Sequence, residues 1–393
     1  MKNWTTSSVS ELCTLHYGKS PKEIEIEGGV FPIYGTGGVV GFTDKYLYAN
    51  PSIILGRKGS IGNVHYVDMP FWTIDTTFYV EPKSCDVKWL YYVFSNLNLE
   101  KLNEATGVPS LSRNNIYAQR LFIPKEKNEQ QKIAEVLSTA DQKIDLINQK
   151  ITETQKLKTG LMQKLFSEGV GVQDEEGNWE LHTEFQVASG VNVPACWNLM
   201  SLESIATVER GKFSARPRND PKYYGGEIPF VQTGDVVNAA TYIETYSQTL
   251  NELGLTVSKI FPVGTILITI AANIGDVAIT KYPLACPDSL VGIQANESKC
   301  NVHWLFYFLQ TQKSELDSKA TKSAQKNINL QVLKPLTVYL PSLEEQSIIA
   351  ETLSTVDEKL ALLEKQKVET QQLKKGLMQK LLTGEWRVPL DNH

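Results

Sequence analysis

The sequence has few cysteines, and their spacing predicts neither a metal site nor a disulfide framework. Five cysteines occur in 393 residues, none of them in a Cys-x-x-Cys pair, and the five histidines are equally scattered. An odd number of isolated cysteines is typical of reduced thiols. We therefore expect a cytoplasmic protein that binds no metal and whose cysteines stay free: Cys13, Cys85, Cys196, Cys286 and Cys300.

Long hydrophobic runs are missing too. No stretch of about eighteen apolar residues is present, so we expect no segment that spans a membrane. The first residues, MKNWTTSSVSELC, lack the apolar core of a secretory signal. The length of the chain and its hydrophobic content of 41% predict two or more soluble globular domains.

An excess of basic charge is absent, and the net charge of −5 argues at first against a nucleic-acid partner. The distribution of charge weakens that argument. Residues 167–200 hold six acidic and no basic side chains, residues 1–122 hold eleven of each, and residues 201–339 hold thirteen basic and twelve acidic ones. Because the two large segments are neutral, each can still present one basic face.

Motifs for catalysis and cofactor binding are not found. A phosphate-binding G-x-x-x-x-G-K-[ST] loop is lacking, because HYGKS at 16–20 has Cys13 where the first glycine belongs. The Asn-Pro-Pro-aromatic sequence of amino-methyltransferases is lacking as well, and the glycines at 169–178 follow no predicted strand. We expect a non-catalytic chain that binds no cofactor itself.

One long phrase occurs twice. EQQKIAEVLSTADQKIDLINQKITETQKLKTGLMQKLF begins at Glu129, and EQSIIAETLSTVDEKLALLEKQKVETQQLKKGLMQKLL begins at Glu345. The two stretches are identical at 22 of 38 positions, with a constant offset of 216 residues. This agreement indicates an internal duplication.

The duplicated stretch has the period of a long helix. Apolar residues recur at steps of three, four and seven, which forms a heptad seam. Asn128 and Ser342 are candidate caps at the starts, and Gly169 and Gly384 are candidate caps just past the ends. Two such helices in one chain are expected to pack on each other, although a solvent-exposed spacer or a homodimer zipper is the alternative. Lysines on the seam, Lys158, Lys367 and Lys374, predict a weakened or shifted seam or a covering partner.

The segments before the two helices also correspond. GGVFPIYGTGG matches GGEIPFVQTGDV in position, and the aromatic stretch KWLYYVF matches HWLFYF, which we expect to be core helices. The predicted fold class is α+β, with two globular domains alternating with two long helices that pair as an antiparallel coiled coil with pseudo-twofold symmetry. The predicted limits are 1–122 for the first recognition domain, 123–166 for the central helix, 167–200 for the acidic linker, 201–339 for the second recognition domain, 340–384 for the distal helix and 385–393 for the tail.

These features resemble the specificity subunit of a type I restriction–modification system. The likeness rests on LGRKGSIG at 55–62, PFWTIDTTFYV at 70–80 and the repeated EQQKIAEVLSTAD…LKTGLMQKLF phrase, and it covers nearly the whole chain. It implies that each globule reads one half of a bipartite target in double-stranded DNA. It also implies that the helices set the half-site spacing and dock two methyltransferase subunits, through which restriction subunits join.

The same resemblance implies that S-adenosylmethionine, ATP and Mg²⁺ are bound by the partner subunits. One alternative is the specificity subunit of a related modification system without a nuclease. Another is a coiled-coil scaffold whose globules bind a ligand other than DNA.

Candidate DNA contacts are basic and polar side chains in loops. In each case a solvated turn, a buried strand end or a cap on the next element is the alternative reading. GRKGSIG and ERGKFSARPRNDPKYY are basic loops suited to phosphate or guanine, and the glutamine of FVQTGDV suits adenine. The predicted DNA-binding residues are Lys19, Tyr34, Thr36, Arg57, Lys58, Arg113, Asn114, Arg210, Lys212, Arg216, Arg218, Gln232, Thr233, Gln325 and Lys326.

Overall fold

The computed structural model describes residues 3–174, 176–188, 190–271, 273–320 and 327–389. The predicted α+β class is confirmed. The chain forms two compact units: unit 1 comprises residues within 1–150 and 363–393, and unit 2 comprises Ile151–Leu362. Because each unit takes in part of both long helices, this division differs from the segments predicted above, whose limits stay predictions.

Unit 1 begins with nine strands and three short α-helices. They are β1 Trp4–Ser8, α1 Val9–Leu12, β2 Cys13–Tyr17, β3 Phe31–Gly35, β4 Gly38–Thr43, β5 Ser52–Gly56, β6 Val64–Val67, β7 Trp72–Thr73, β8 Thr77–Pro82, α2 Val87–Asn96, α3 Arg113–Tyr117 and β9 Arg120–Pro124, with a 3₁₀ turn at Leu99–Leu102.

Three sheets organise unit 1. A four-stranded antiparallel sheet has the order β2-β8-β5-β6, and a three-stranded sheet has the order β4-β3-β7, in which β3 and β7 are parallel. The third sheet pairs β1 with β9, so that the beginning of the chain lies beside the strand that leads into the first long helix.

The first long helix, α4, spans Lys127–Ser167, and the second, α11, spans Leu343–Leu381. Between them lie the remaining elements of the described chain. They are β10 Val172–Gln173, β11 Trp179–Glu180, β12 Phe185–Ala188, β13 Val191–Pro194, β14 Asn198–Ser201, α5 Leu202–Ile205, β15 Ala206–Arg210, β16 Tyr224–Phe230, α6 Thr233–Asn238, β17 Tyr242–Ile243, β18 Gln248–Leu250, α7 Glu252–Thr256, β19 Ile260–Phe261, β20 Ile266–Thr269, β21 Val277–Thr280, β22 Leu284–Ala285, β23 Leu290–Ala295, α8 Val302–Thr311, α9 Lys313–Ser318, α10 Leu330–Leu333 and β24 Thr337–Leu340, with a 3₁₀ turn at Pro221–Tyr223.

The sheets of unit 2 repeat the plan of unit 1. The order β15-β23-β20-β21 corresponds to β2-β8-β5-β6, and β17 extends that sheet by one strand. A second sheet has the order β18-β16-β22-β19, with β16 parallel to β22 as β3 is to β7. Strand β14 pairs with β24 as β1 pairs with β9. The correspondence predicted from the sequence therefore extends to strand pairing.

The aromatic helices α2 and α8 lie in the cores, as predicted. Trp89, Tyr92 and Phe94 are buried in unit 1, and every residue from Trp304 to Leu309 is buried in unit 2. Removing several large aromatic side chains from water supplies about 2 kcal/mol or more for each, which is enough to fix the helix against its sheet.

The ends of the long helices agree largely with the predicted caps. Gly169 and Gly384 follow the helices with φ of 72° and 76°, a conformation that favours glycine. The Ser342 hydroxyl accepts a hydrogen bond from the Glu345 N–H at 3.2 Å. The prediction for Asn128 is wrong, because α4 begins one residue before it and Asn128 lies inside the helix.

A buried glutamate stands at the start of each long helix. In unit 1, Glu129 accepts hydrogen bonds from the Trp4 indole at 3.1 Å and from the Arg387 guanidinium at 2.5 and 2.9 Å. In unit 2, Glu345 accepts from the Trp197 indole at 2.9 Å and binds His182 at 2.9 Å. Since a buried carboxylate requires such partners, each glutamate fixes the segments that surround it.

Two seam lysines form ion pairs with aspartates. In unit 1, Lys374 lies 2.5 Å from Asp141, which also accepts a hydrogen bond from the Tyr92 hydroxyl at 2.7 Å. In unit 2, Lys158 lies 2.7 Å from Asp357, which accepts one from the Tyr307 hydroxyl at 2.8 Å. The seam therefore tolerates these two lysines because each finds a carboxylate within its own unit.

None of the helices in the described part of the chain has the length and apolarity that a membrane span needs. The described residues also contain no group of three or more His, Cys, Asp or Glu side chains that suits a metal ion.

Candidate functional site

The predicted side chains of unit 1 collect around the connection between β7 and β8, residues 74–76. The Lys19 N–H binds the Thr73 carbonyl at 2.8 Å, and the N–H groups of Arg57 and Lys58 bind the Thr76 carbonyl at 2.9 and 3.1 Å. Lys58 also forms an isolated β-bridge with Ser110, just before α3. Segments far apart in sequence therefore bring Lys19, Arg57 and Lys58 to one end of the four-stranded sheet.

Two arginines of this group contact the same aromatic ring. The guanidinium carbons of Arg57 and Arg113 each lie 5.0 Å from the centre of the Tyr17 ring. Tyr17 ends β2 and is 47% exposed. Sequence reasoning missed Tyr17, because the strand register that places it beside both arginines cannot be read from the chain order. Asn114, the second residue of α3, is exposed beside Arg113.

Tyr34 and Thr36 reach the same connection through their main chains. The Tyr34 carbonyl accepts the Ile74 N–H at 3.0 Å, while its ring packs edge-on against Phe71. Burial raises the pKa of the Tyr34 hydroxyl. The Thr36 carbonyl accepts a hydrogen bond from the Asn63 amide at 2.9 Å. Both residues are half-buried, so the structure leaves part of each accessible.

In unit 2 the equivalent connection, between β22 and β23, gathers the corresponding residues. The Lys212 N–H binds the Cys286 carbonyl at 3.0 Å, as the Lys19 N–H binds that of Thr73. The Arg210 Nε donates to the Asp288 carbonyl at 2.6 Å, and the Thr233 hydroxyl lies 3.2 Å from that of Ser289. The correspondence of Lys19 with Lys212 that the sequence indicated is thus present in the strand pairing.

Asp288 makes the chemistry of this second cluster different. The Arg218 guanidinium lies 2.8 Å from the Asp288 carboxylate. Burial raises the pKa of Asp288, but the hydrogen bond and charge of Arg218 outweigh it, and the pKa lies below its usual value. The positive charge that the sequence placed here is therefore partly neutralised within the unit. Sequence reasoning missed Asp288, which is 70 residues from its partner.

Gln232 lies beside an open cavity of about 520 Å³. The side chains of Phe213, Tyr224 and Phe230 contribute an aromatic wall, and Arg218 lines another part. The Gln232 side-chain amide donates to the Gln248 side-chain oxygen at 3.0 Å. This pair leaves one amide oxygen and one amide N–H for a further partner.

Three predicted residues remain. Arg216 is exposed and donates to the Ala215 carbonyl at 2.7 Å. Gln325 and Lys326 lie outside the described residues. The contact of all fifteen residues with DNA stays a prediction.

A larger cavity, of about 1080 Å³, lies elsewhere in unit 2, at the end of α4. It is lined by Met162, Phe166, Phe308, Leu336 and Tyr339, among others, and by none of the predicted DNA-binding residues. The candidate site therefore consists of the two sheet-edge clusters rather than of the larger cavity.

A known family accounts for the paired layout. The family model described as "Type I restriction modification DNA specificity domain" matches residues 1–156 and again residues 194–372. Each match contains one of the two clusters. The chain therefore belongs to the type I restriction–modification DNA specificity family, and the sequence prediction of a specificity subunit is confirmed.

Relatives with descriptions of the same kind are found in an archaeon. The "Putative type I restriction enzyme MjaX specificity subunit" of Methanocaldococcus jannaschii is 30% identical over 296 residues, which are 75% of this chain and 66% of that protein. The MjaVIII specificity subunit of the same organism is 27% identical over 354 residues, 86% of this chain and 76% of that one. The chain thus spans about two thirds to three quarters of the length of these two relatives.

A solved structure has the same fold. The crystal structure of the "Type-I restriction-modification system S subunit from M. genitalium" aligns over 96% of both chains with a TM-score of 0.65 and 18% sequence identity. At this identity the likeness concerns the fold alone.

Proposed function

We propose that this chain selects the DNA target of a type I restriction–modification complex, with each unit reading one half of a bipartite site. The observation that carries the proposal is the pair of clusters at equivalent sheet ends. Both present arginine, lysine and polar side chains on loops held by main-chain hydrogen bonds. Such loops suit phosphate contact and base reading in a groove.

The two long helices pair antiparallel in this proposal, with the units related by a pseudo-twofold axis. Its support is the reciprocal ion pairing: Asp141 near the start of α4 binds Lys374 near the end of α11, and Lys158 near the end of α4 binds Asp357 near the start of α11. Reciprocal contacts of this kind characterise a twofold interface. The helix pair then sets the spacing of the half-sites.

The constant helices and the divergent loops have different tasks in this proposal. The helices dock two methyltransferase subunits, since a nearly identical surface presented twice suits two copies of one partner. Restriction subunits join through them. This chain itself performs no catalysis, and S-adenosylmethionine, ATP and Mg²⁺ belong to the partner subunits.

The test is methylome sequencing of cells that express this chain with its methyltransferase subunit. We expect modified adenines in a split motif. Exchange of residues 1–122 should change one half of the motif, and exchange of residues 201–339 should change the other. A stable complex of the two proteins without any modified motif would contradict the proposal and indicate that the globules bind another ligand.

A further inference from the structure

The two arginines on Tyr17 are held in fixed orientations. Arg57 Nη1 donates to the Asp75 carbonyl at 3.1 Å, and Arg113 Nη1 donates to the Leu15 carbonyl at 3.3 Å. A guanidinium has five N–H donors, so most donors of each remain for another molecule. Within the described part of the chain, neither guanidinium has a carboxylate partner, although Asp75 is exposed in the same connection.

The backbone that carries Arg57 is also fixed. Besides the bonds of Arg57 and Lys58 to the Thr76 carbonyl, the Gly59 N–H binds the Pro109 carbonyl at 2.9 Å and the Leu111 N–H binds the Arg57 carbonyl at 2.8 Å. Arg113 follows two residues later as the first residue of α3. The loop and the helix are therefore joined, and little ordering remains to oppose binding.

The equivalent positions of unit 2 carry different side chains. Tyr17 ends β2 opposite Phe78, and Arg210 ends β15 opposite Val291. By the register of the sheets, Ile270 follows β20 where Arg57 follows β5. Arg210 donates to the Asp288 carbonyl, and the Asp288 carboxylate binds Arg218. One scaffold position thus offers two guanidiniums on a ring in unit 1 and a partly neutralised cluster in unit 2.

The chemistry of the first cluster matches guanine. The planar guanidinium fork pairs with O6 and N7 of guanine in the major groove, and stacking on an aromatic ring fixes the plane of the fork. The neighbouring exposed lysines, Lys19 and Lys58, are flexible point charges that suit phosphates. The cluster therefore separates base reading by arginine from phosphate contact by lysine.

We propose that Arg57 and Arg113, positioned by Tyr17, read guanine in the half-site bound by unit 1, and that this requirement is absent at the equivalent position of the other half-site. The inference rests on the proposed function. It assigns the base class to one half of the target and makes Tyr17 a positioning residue.

The experiment compares methylomes of the complete complex carrying wild-type chain, Arg57→Gln, Arg57→Lys or Arg113→Gln. Arg57→Lys keeps the charge but loses the fork, so it separates geometry from charge. Each variant should lose about ten- to a hundredfold of the preference for guanine at one position of the unit 1 half, with the other half unchanged. Arg120→Gln, which replaces an exposed arginine of β9 in the same unit, is the matched control and should leave the motif unchanged.

The possible outcomes are distinct. A wild-type motif without guanine in the half that changes on exchange of residues 1–122 overturns the inference and leaves the proposed function standing. It is also overturned if the arginine variants weaken modification equally at all sequences, or if Arg57→Lys retains the guanine preference. Absence of any split motif with wild-type chain instead contradicts the proposed function. Because the wild-type motif is itself decisive, a variant that fails to fold does not rescue the inference.

Discussion

The ammonium of Lys158 lies 2.7 Å from the carboxylate of Asp357, and the two side chains are only 21% and 20% exposed. The same aspartate accepts a hydrogen bond from Tyr307, and the Lys158 ammonium lies 5.4 Å from the centre of that ring. Lys374, Asp141 and Tyr92 make the same arrangement in unit 1. A lysine on a predicted apolar seam is thus a designed contact.

Replacement of Lys158 should destabilise unit 2. Lys158→Met leaves the Asp357 carboxylate mostly buried without its cation, and we expect a loss of about 1–3 kcal/mol in the free energy of unfolding. Urea denaturation measures it. Lys156→Met changes an exposed lysine of the same helix and should cost less than about 0.5 kcal/mol. Equal losses from the two variants would show that the ion pair is dispensable.

Replacement of Arg387 should destabilise unit 1. Arg387→Met leaves the fully buried Glu129 carboxylate with the Trp4 indole as its remaining hydrogen-bond donor, and we expect a loss of about 2–4 kcal/mol. Glu129→Gln in the same chain removes the unpaired charge and should restore part of the loss. The urea midpoints of the single and double variants decide: no recovery would mean that the loss does not come from the buried charge.

Stability should fall as the solution becomes alkaline. Burial raises the pKa of the Cys286 thiol from 9.0 to about 12, so the folded chain keeps a proton that the unfolded chain releases above pH 9. A raised folded pKa gives stability that is complete below the unfolded pKa and lost as the pH rises toward the folded one. Between roughly pH 7.5 and 9.5 the wild type should lose about 1 kcal/mol more than Cys286→Ala. Thermal or urea denaturation at the two pH values measures this difference, and equal losses would contradict the assignment.

Lys58 should contribute to DNA affinity without contributing to sequence preference. It is exposed beside the β7–β8 connection, and loss of one phosphate contact should lower the slope of log K against log salt by about one unit in Lys58→Met. Lys83 follows the opposite end of β8 and provides the control, Lys83→Met, which should leave the slope unchanged. Binding titrations of the methyltransferase complex at several salt concentrations measure both. A change in base preference with Lys58→Met would assign that residue to base reading instead.

The fold was predictable where the sequence repeats or alternates. The offset of 216 residues between Glu129 and Glu345 predicted two matching helices, and the spacing of Trp89 and Phe94 predicted a buried helix face. Such local periodicity carries its own geometry, because 3.6 residues per turn places the apolar side chains on one face. The helix ends were predictable within one or two residues from their glycines.

The contacts of the candidate site were not predictable, because they depend on strand register. Tyr17 meets Arg57 and Arg113 through pairings of β2, β5 and β8 that join residues up to about a hundred positions apart. Asp288 neutralises Arg218 for the same reason. Charge counts along the chain identify basic loops, but they cannot tell which guanidinium faces a carboxylate and which faces a ring.

The division of the chain into units also bears on how the protein is made. Unit 2 comprises one continuous stretch, Ile151–Leu362, whereas unit 1 needs residues from both the beginning and the end of the chain. In unit 1, Trp4 and Arg387 bind the same carboxylate of Glu129. During synthesis, unit 2 can therefore complete its contacts as soon as its own residues have left the ribosome. Unit 1 begins to emerge first but acquires its last stabilising contacts only after translation has finished.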